Sequence, residues 1–107
     1  MKLSELKKEM IIIYGNKCWI SLLEDERLTG HHIIPVRHKG LTEWQNIALL
    51  SNESHRYFNY IEKIDPKSAK ELNNLFLDLN ATYAPPTLEY EKEVNYVLSR
   101  VRKVRNK

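Results

Sequence analysis

The residues best suited to chemistry lie between Gly30 and Asn59, where all four of the chain's histidines fall. Near neutral pH an imidazole can take a proton from water or bind a metal ion. His31 and His32 are adjacent, whereas His55 and Asn59 are four positions apart, a spacing that brings two side chains together on a helix. These residue types predict a metal site with positions left open for water and phosphate.

Two short strands are needed to bring these histidines near a helix. The sequence HHIIPV has an extended pattern, and Pro35 is expected to end that strand because it has no amide donor. Gly40 marks the bend of a loop, and IALL is the second strand. Because side chains alternate faces along a strand, His31 and His32 are not equivalent ligands of one ion. One ligand and one base is the expected division.

A helix should follow the second strand directly. Residues 51–54 carry side chains that cap helices, so a helix is predicted to begin there and to run through Ile64. It places His55 and Asn59 one turn apart on one face.

Apolar residues at helical spacing predict another helix at about 3–14, with Ser4 as its cap and Gly15 at its end. Residues 18–23 are apolar and β-prone, which predicts an extended segment followed by a turn.

Two more helices are predicted at about 66–80 and 87–105. Asp65 and Pro66 occupy favoured cap and first-turn positions of the earlier one. The stripes expected to be buried are Leu72, Leu75, Phe76 and Leu79 in one helix, and Val94, Val97, Leu98, Val101 and Val104 in the other.

Length and composition limit the number of domains and the class of protein. A chain of 107 residues, 42% hydrophobic and 29% charged, predicts one globular domain spanning 1–107. Its longest aliphatic run is too short to span a bilayer, and its start is charged where a signal peptide would be apolar. The single cysteine permits no internal disulfide. We therefore expect a cytoplasmic protein without a membrane partner.

Positive charge is concentrated in two places although the net charge is only +3. One cluster, Arg37, His38 and Lys39, lies in the loop after the histidine pair. The other lies in the last eight residues and consists of Arg100, Arg102, Lys103, Arg105 and Lys107. Both clusters are candidates for phosphate contacts, with a solvated helix end as the equally weighted alternative for the C-terminal run.

The spacing of the motif is informative. HHIIP is followed by Gly40 five positions after Pro35, by Asn46 six positions after Gly40 and by His55 nine positions after Asn46. Over about residues 17–60 this pattern resembles the HNH endonucleases, whose ββα-metal fold consists of a β-hairpin and a helix. The resemblance implies an α+β fold with a core at about 17–62, flanked by N-terminal and C-terminal helices.

The resemblance also implies roles for individual residues. By this resemblance, His31 stands at the position of a metal ligand. His32 stands at the position of the general base that takes a proton from the attacking water. His55 is similar to the second ligand, and Asn59 stands where some members place a third. Asn46 resembles the asparagine that holds the loop and orients the catalytic histidine.

The implied activity is hydrolysis of DNA phosphodiester bonds, by nicking or double-strand cleavage, leaving 5′-phosphate and 3′-hydroxyl ends. One divalent cation is expected, Mg²⁺ or Mn²⁺ first and Ni²⁺ or Zn²⁺ as alternatives. A catalytically weak or inactive nucleic-acid-binding module, or an accessory subunit, is the alternative function. A homodimer and a larger nuclease or packaging complex are both left open.

The chain departs from many HNH proteins at three of four cysteine positions. Those proteins hold a structural zinc with two CxxC pairs, whereas this chain has Cys18 and Ser21, then Ser51 and Ser54. Neutral serine is a poor zinc ligand, so no structural zinc is expected. Such a site contributes on the order of 10 kcal/mol to the free energy of folding. Burial of apolar side chains by the flanking helices must therefore offset its loss. Cys18 is expected to be a small buried hydrophobe.

Overall fold

The protein, described here by a computed structural model, folds as an antiparallel β-hairpin with helices packed around it. The structure describes residues 2–105, and side chains as far as residue 103. The helices are α1 (Leu3–Tyr14), α2 (Asn52–Ile64), α3 (Pro66–Thr82) and α4 (Leu88–Arg105), and the strands are β1 (Thr29–His32) and β2 (Ile47–Leu50). Short 3₁₀ turns lie at Val36–His38 and Trp44–Asn46. The predicted α+β class is confirmed, with β1, β2 and α2 in ββα order.

The first strand is shorter than HHIIPV predicts, because it ends at His32. Beyond it, Ile33 N–H donates to the backbone carbonyl of Asn46 at 2.8 Å. The Asn46 side chain then accepts from Ile34 N–H at 2.7 Å and donates to the Ile34 carbonyl at 3.0 Å. One side chain thus satisfies the backbone groups that a longer ladder would have used.

The second strand is buried along its whole length. In the antiparallel register His31 lies opposite Ala48, and His32 lies opposite Ile47. His31 and His32 are therefore paired with a fully buried strand.

Local capping explains where α2 and α3 begin. The Ser51 hydroxyl accepts from Ser54 N–H at 3.1 Å, and the Asp65 carboxylate accepts from Ser68 N–H at 3.3 Å. The two predicted helix starts are confirmed. The prediction that Ser4 caps α1 is wrong, because that helix begins at Leu3 and no side chain caps it.

Residues 18–23 form a turn rather than the extended segment that their apolar character predicted. The Cys18 thiol accepts from Ile20 N–H and Ser21 N–H, both at 3.5 Å, which curls the chain around the sulfur. Leu22 has a left-handed φ of 62°, and Cys18 accepts a backbone hydrogen bond from it at 2.9 Å. Local hydrogen bonds to the cysteine therefore override the β propensity of this stretch.

The buried apolar side chains of the described residues form one cluster that includes both strands and all four helices. On α4 the buried stripe comprises Val94, Val97, Leu98 and Val101, which confirms that this face is core. The side chain of Val104 lies outside the described residues. No helix within residues 2–105 is long and apolar enough to cross a membrane.

Candidate active site

His31 lies on β1 with 7% of its surface exposed, against the aromatic rings of α2 and α3. Its ring centroid is 4.4 Å from that of Phe58 and 5.8 Å from that of Phe76. The ring Nε2–H donates to the Asn73 side-chain carbonyl at 3.0 Å. Burial lowers the pKa of His31 from 6.5 to about 4, despite the opposing effect of Asn73. The ring is therefore neutral near pH 7, the form that binds metals.

His55 reaches the same place from the first turn of α2. Its ring centroid is 5.4 Å from that of His31, and the planes cross at 84°. Its Nδ1 lies 2.9 Å from the Thr29 hydroxyl oxygen on β1. Burial is the largest influence on the pKa of His55 and lowers it, with Glu62 acting in the opposite direction. The two rings thus form a neutral pair.

His32 points into the loop that joins the strands. Its Nε2 lies 3.0 Å from the Thr42 hydroxyl oxygen. Asn46 braces this loop from inside, because its amide donates to the carbonyls of Ile34 and Leu41, each at 3.0 Å. The Asn46 side chain therefore links the start of the loop, at Ile34, to Leu41, the residue before Thr42.

An open pocket of about 380 Å³ lies beside His55. It is lined by Asn52, His55, Arg56 and Asn59. Asn59 is exposed one turn after His55, so the predicted i, i+4 pair does face one space. Arg56 was not predicted as a site residue. Its position next to His55 in the sequence was the available signal, and a guanidinium is well suited to hold a phosphate.

The donors at this site fit an open cation site rather than a closed one. No group of three or more histidine, cysteine, aspartate or glutamate side chains among residues 2–105 is placed to hold a metal ion. His55 and Asn59 line the same pocket, and the neutral ring of His31 lies 5.4 Å from that of His55 between centroids. Because metal–nitrogen bonds are about 2.0–2.1 Å long, rings at this spacing are compatible with one shared ion. Such a set leaves positions for water and substrate.

Comparison with known families gives a match over the segment that carries these residues. The family model described as HNH endonuclease matches residues 16–57, which include His31, His32, Asn46 and His55. The resemblance is confirmed over this segment. Comparison with curated proteins and with solved structures gives no match. The HNH match supports a nuclease-type activity and a nucleic-acid substrate in general terms.

Within the HNH segment, Cys18, Ser21, Ser51 and Ser54 form a second group, which we call the serine cluster. Cys18 is fully buried. Burial raises the pKa of its thiol, but hydrogen bonds from Ser21 and Ser54 reverse this effect and leave the pKa lowered overall. Ser51 is occupied as the cap of α2. One thiol and three hydroxyls, bonded to one another and to the backbone, do not fit a structural zinc.

The predicted phosphate-binding residues lie in different environments. Arg37 and His38 are exposed on the 3₁₀ turn after His32, and Lys39 is exposed directly after that turn. On α4, Arg102 and Lys103 are exposed, whereas the side chain of Arg105 and all of Lys107 lie outside the described residues.

Arg100 does not project freely outward as expected. It is 34% exposed, forms an ion pair with Glu71 of α3 and stacks on Tyr96 at 5.2 Å. Its charge is thus already compensated within the protein, because α4 packs against α3.

Sequence reasoning missed three partners of the histidines, namely Thr29, Thr42 and Asn73. Thr29 stands two positions before His31, and alternation along a strand was a signal that it shares the face of His31. Asn73 is 42 residues from His31, and no local pattern links them.

Proposed function

We propose that the protein is a metal-dependent HNH endonuclease that hydrolyses DNA phosphodiester bonds. The observation that carries the proposal is the convergence of His31 and His55, with ring centroids 5.4 Å apart, inside the segment that matches the HNH family. Their low proton affinity supports metal binding, since a protonated imidazole has no lone pair to offer.

The proposed ligands are His31, His55 and Asn59, which come from β1 and from one face of α2. A bound Mg²⁺ or Mn²⁺ supplies neutralisation of the charge that develops on the phosphate and on the leaving oxygen, with Ni²⁺ or Zn²⁺ as alternative ions. Arg56, on the same pocket wall as Asn59, is placed to add a second positive group for the phosphate.

His32 is the proposed general base. When its Nε2–H donates to Thr42, the neutral ring keeps its lone pair on Nδ1, which is then free to accept a proton from water. Asn46 acts indirectly, because it fixes the loop that carries Thr42. This division agrees with the alternation of His31 and His32 along β1. Attack by water with departure of the 3′ oxygen leaves 5′-phosphate and 3′-hydroxyl ends.

DNA is proposed to contact the exposed cations at Arg37, Lys39, Arg102 and Lys103, with His38 beside them. Arg100 is left out of this surface because Glu71 already neutralises it. We place the protein in the cytoplasm, where a reduced and buried Cys18 is chemically stable.

One observation favours the alternative of a weak or inactive nucleic-acid-binding module. The third proposed ligand is the neutral amide of Asn59, and no third histidine or carboxylate completes the set among the described residues. An amide oxygen binds cations less strongly than a carboxylate, because it carries no net charge.

Incubation of the purified protein with supercoiled plasmid tests both functions. We expect nicked or linear DNA with Mg²⁺ or Mn²⁺ and none with EDTA, while Ni²⁺ and Zn²⁺ arms identify the ions that are accepted. His32→Ala is the matched inactive control, and an accessory role would require its partner to be added. Plasmid that stays supercoiled with every ion, although it is bound in a gel-shift assay, would replace the nuclease by the binding module.

A further inference from the structure

The Thr29 hydroxyl lies between two groups of the proposed metal site. Its oxygen is 2.8 Å from the backbone carbonyl oxygen of Leu50 and 2.9 Å from His55 Nδ1. Thr29 and Leu50 are also opposite each other in the hairpin register, so the three groups are held by β1, β2 and α2.

Proton counting assigns the direction of both hydrogen bonds. A carbonyl oxygen only accepts, and a threonine hydroxyl has one proton to donate. The hydroxyl proton therefore goes to Leu50, and the hydroxyl oxygen must accept from His55 Nδ1–H. With the proton on Nδ1, the lone pair of the neutral His55 ring is on Nε2.

We infer that Thr29 is a positioning residue that holds His55 as its Nδ1–H tautomer and keeps Nε2 available to a cation. The opposite tautomer would place the Nδ1 lone pair against the hydroxyl oxygen, with a single proton for two acceptors. An acceptor that is left without a donor at this part-buried position is costly, so the first tautomer is favoured.

The side chain of Thr29 is suited to this task. It is half-buried, and its β-branched carbon restricts the rotation that would carry the hydroxyl away. His31 is held in the complementary way, since its Nε2–H donates to Asn73 and its lone pair is on Nδ1. Each ring of the pair thus has one nitrogen held by the protein and one left over.

The consequence for metal affinity rests on the proposed function. Residues that fix the tautomer of a ligating histidine typically change metal affinity by about 10–100-fold when they are removed. Thr29→Val keeps the branched shape and loses the hydroxyl, whereas Thr29→Ser keeps the hydroxyl. Thr82→Val is the matched control, because Thr82 donates to the Leu79 carbonyl on α3 and contacts no histidine.

The test begins without metal. Imidazole ¹⁵N NMR spectra, recorded where His55 is neutral, should show protonated Nδ1 and bare Nε2 in the wild type, in Thr29→Ser and in Thr82→Val. Thr29→Val should give a mixture of tautomers. Protonated Nε2 in the wild-type spectrum would overturn the inference even if a variant failed to fold.

Calorimetric titration with Mn²⁺ is the second arm. Thr29→Val should bind about 10–100-fold more weakly than wild type, with Thr29→Ser and Thr82→Val near wild type. Equal losses in Thr29→Val and Thr29→Ser would overturn the role of the hydroxyl. If the spectra behave as expected but no protein binds any cation, the tautomer assignment stands and the proposed metal-dependent function fails.

Discussion

Two groups of polar side chains lie on the same ββα segment but differ in how their polar atoms are used. One is the histidine site, which comprises His31, His32 and His55, and the other is the serine cluster. At the histidine site each ring has one nitrogen hydrogen-bonded to a protein side chain, and the other nitrogen is proposed to act on a metal ion or on water. In the serine cluster the sulfur and the Ser51 hydroxyl accept hydrogen bonds from nearby backbone amides.

The surfaces around the two regions also differ in charge. The pocket next to the serine cluster is lined by the acidic side chains of Glu24, Asp25 and Glu53 as well as by Arg27 and Arg56. The pocket next to His55 has Arg56 as its charged wall residue. Within the segment that matches the HNH family, the serine cluster is therefore held by local hydrogen bonds, whereas the proposed catalytic residues lie beside a pocket with a positive wall.

The largest effect is expected from restoring thiolates to the serine cluster. Ser21→Cys, Ser51→Cys and Ser54→Cys together should create a tetrathiolate zinc site, since Ser21 and Ser54 already contact the Cys18 thiol. Zinc in such sites contributes on the order of 10 kcal/mol. We expect one zinc per chain by elemental analysis and a large rise in melting temperature, both reversed by chelator.

Two controls sharpen this prediction. The wild-type melting temperature should change little with EDTA, and the corresponding triple alanine variant should bind no zinc. A triple cysteine variant that folds but purifies without zinc would show that the four positions do not surround a common centre.

The next largest effect is expected within the histidine site. His32→Ala should lower the cleavage rate by about 10² to 10⁴-fold, because the proposed general base is lost. Mn²⁺ affinity should persist, since His31 and His55 are untouched. Single-turnover cleavage and calorimetry measure the two quantities separately. Near wild-type cleavage at neutral pH would show that His32 is not the base.

His31→Gln provides the reverse pattern. Removing this proposed ligand should weaken Mn²⁺ binding, while the proposed DNA-binding surface is unchanged. Loss of cleavage without loss of metal binding in this variant would exchange the roles assigned to the two neighbouring histidines.

A third effect concerns the buried neutral state of His31. Its folded-state pKa of about 4 lies below the unfolded value of 6.5, so the unfolded chain binds more protons between these values. The contribution to stability is therefore fully present above pH 6.5 and is lost as pH falls towards 4. With about 1.4 kcal/mol per pKa unit, the loss is on the order of 3 kcal/mol.

Urea unfolding of the metal-free protein at several pH values measures this dependence. His31→Gln should flatten the profile between pH 4 and 6.5 by most of that amount, with His38→Gln as an exposed control. A profile that His31→Gln leaves unchanged would mean that the ring is not held neutral in the fold.

The smallest effect expected is on the salt dependence of DNA binding. Replacing Arg102 and Lys103 with glutamine should flatten the slope of log affinity against log salt by roughly 2, at about 0.9 for each lost phosphate contact. Arg37→Gln with Lys39→Gln tests the loop in the same way. Arg100→Gln is the control, because its charge is paired with Glu71.

Fluorescence anisotropy across a salt series gives these slopes. Unchanged slopes for both double variants would exclude the exposed cations as the DNA surface. A flattened slope for Arg100→Gln alone would mean that DNA displaces Glu71 from its ion pair.

Much of the fold could be predicted because its signals are local. The starts of α2 and α3 follow from Ser51 and Asp65, whose side chains bond to amides three residues later. The four-residue strand IALL was predicted at its observed bounds because this apolar run has polar residues on both sides. Prediction failed at residues 18–23 and after His32, where one thiol and one amide side chain replace a strand ladder.

The sequence by itself determined which residues could act, since His31, His32, Asn46 and His55 stand at spacings that depend only on order along the chain. The tertiary structure decided how they are held. It brings Thr29 to His55 across 26 residues and Asn73 to His31 across 42. It also pairs Arg100 with Glu71 across two helices. Hydrogen bonds and ion pairs between elements depend on how helices and strands pack, and that geometry leaves no periodic pattern in a single sequence.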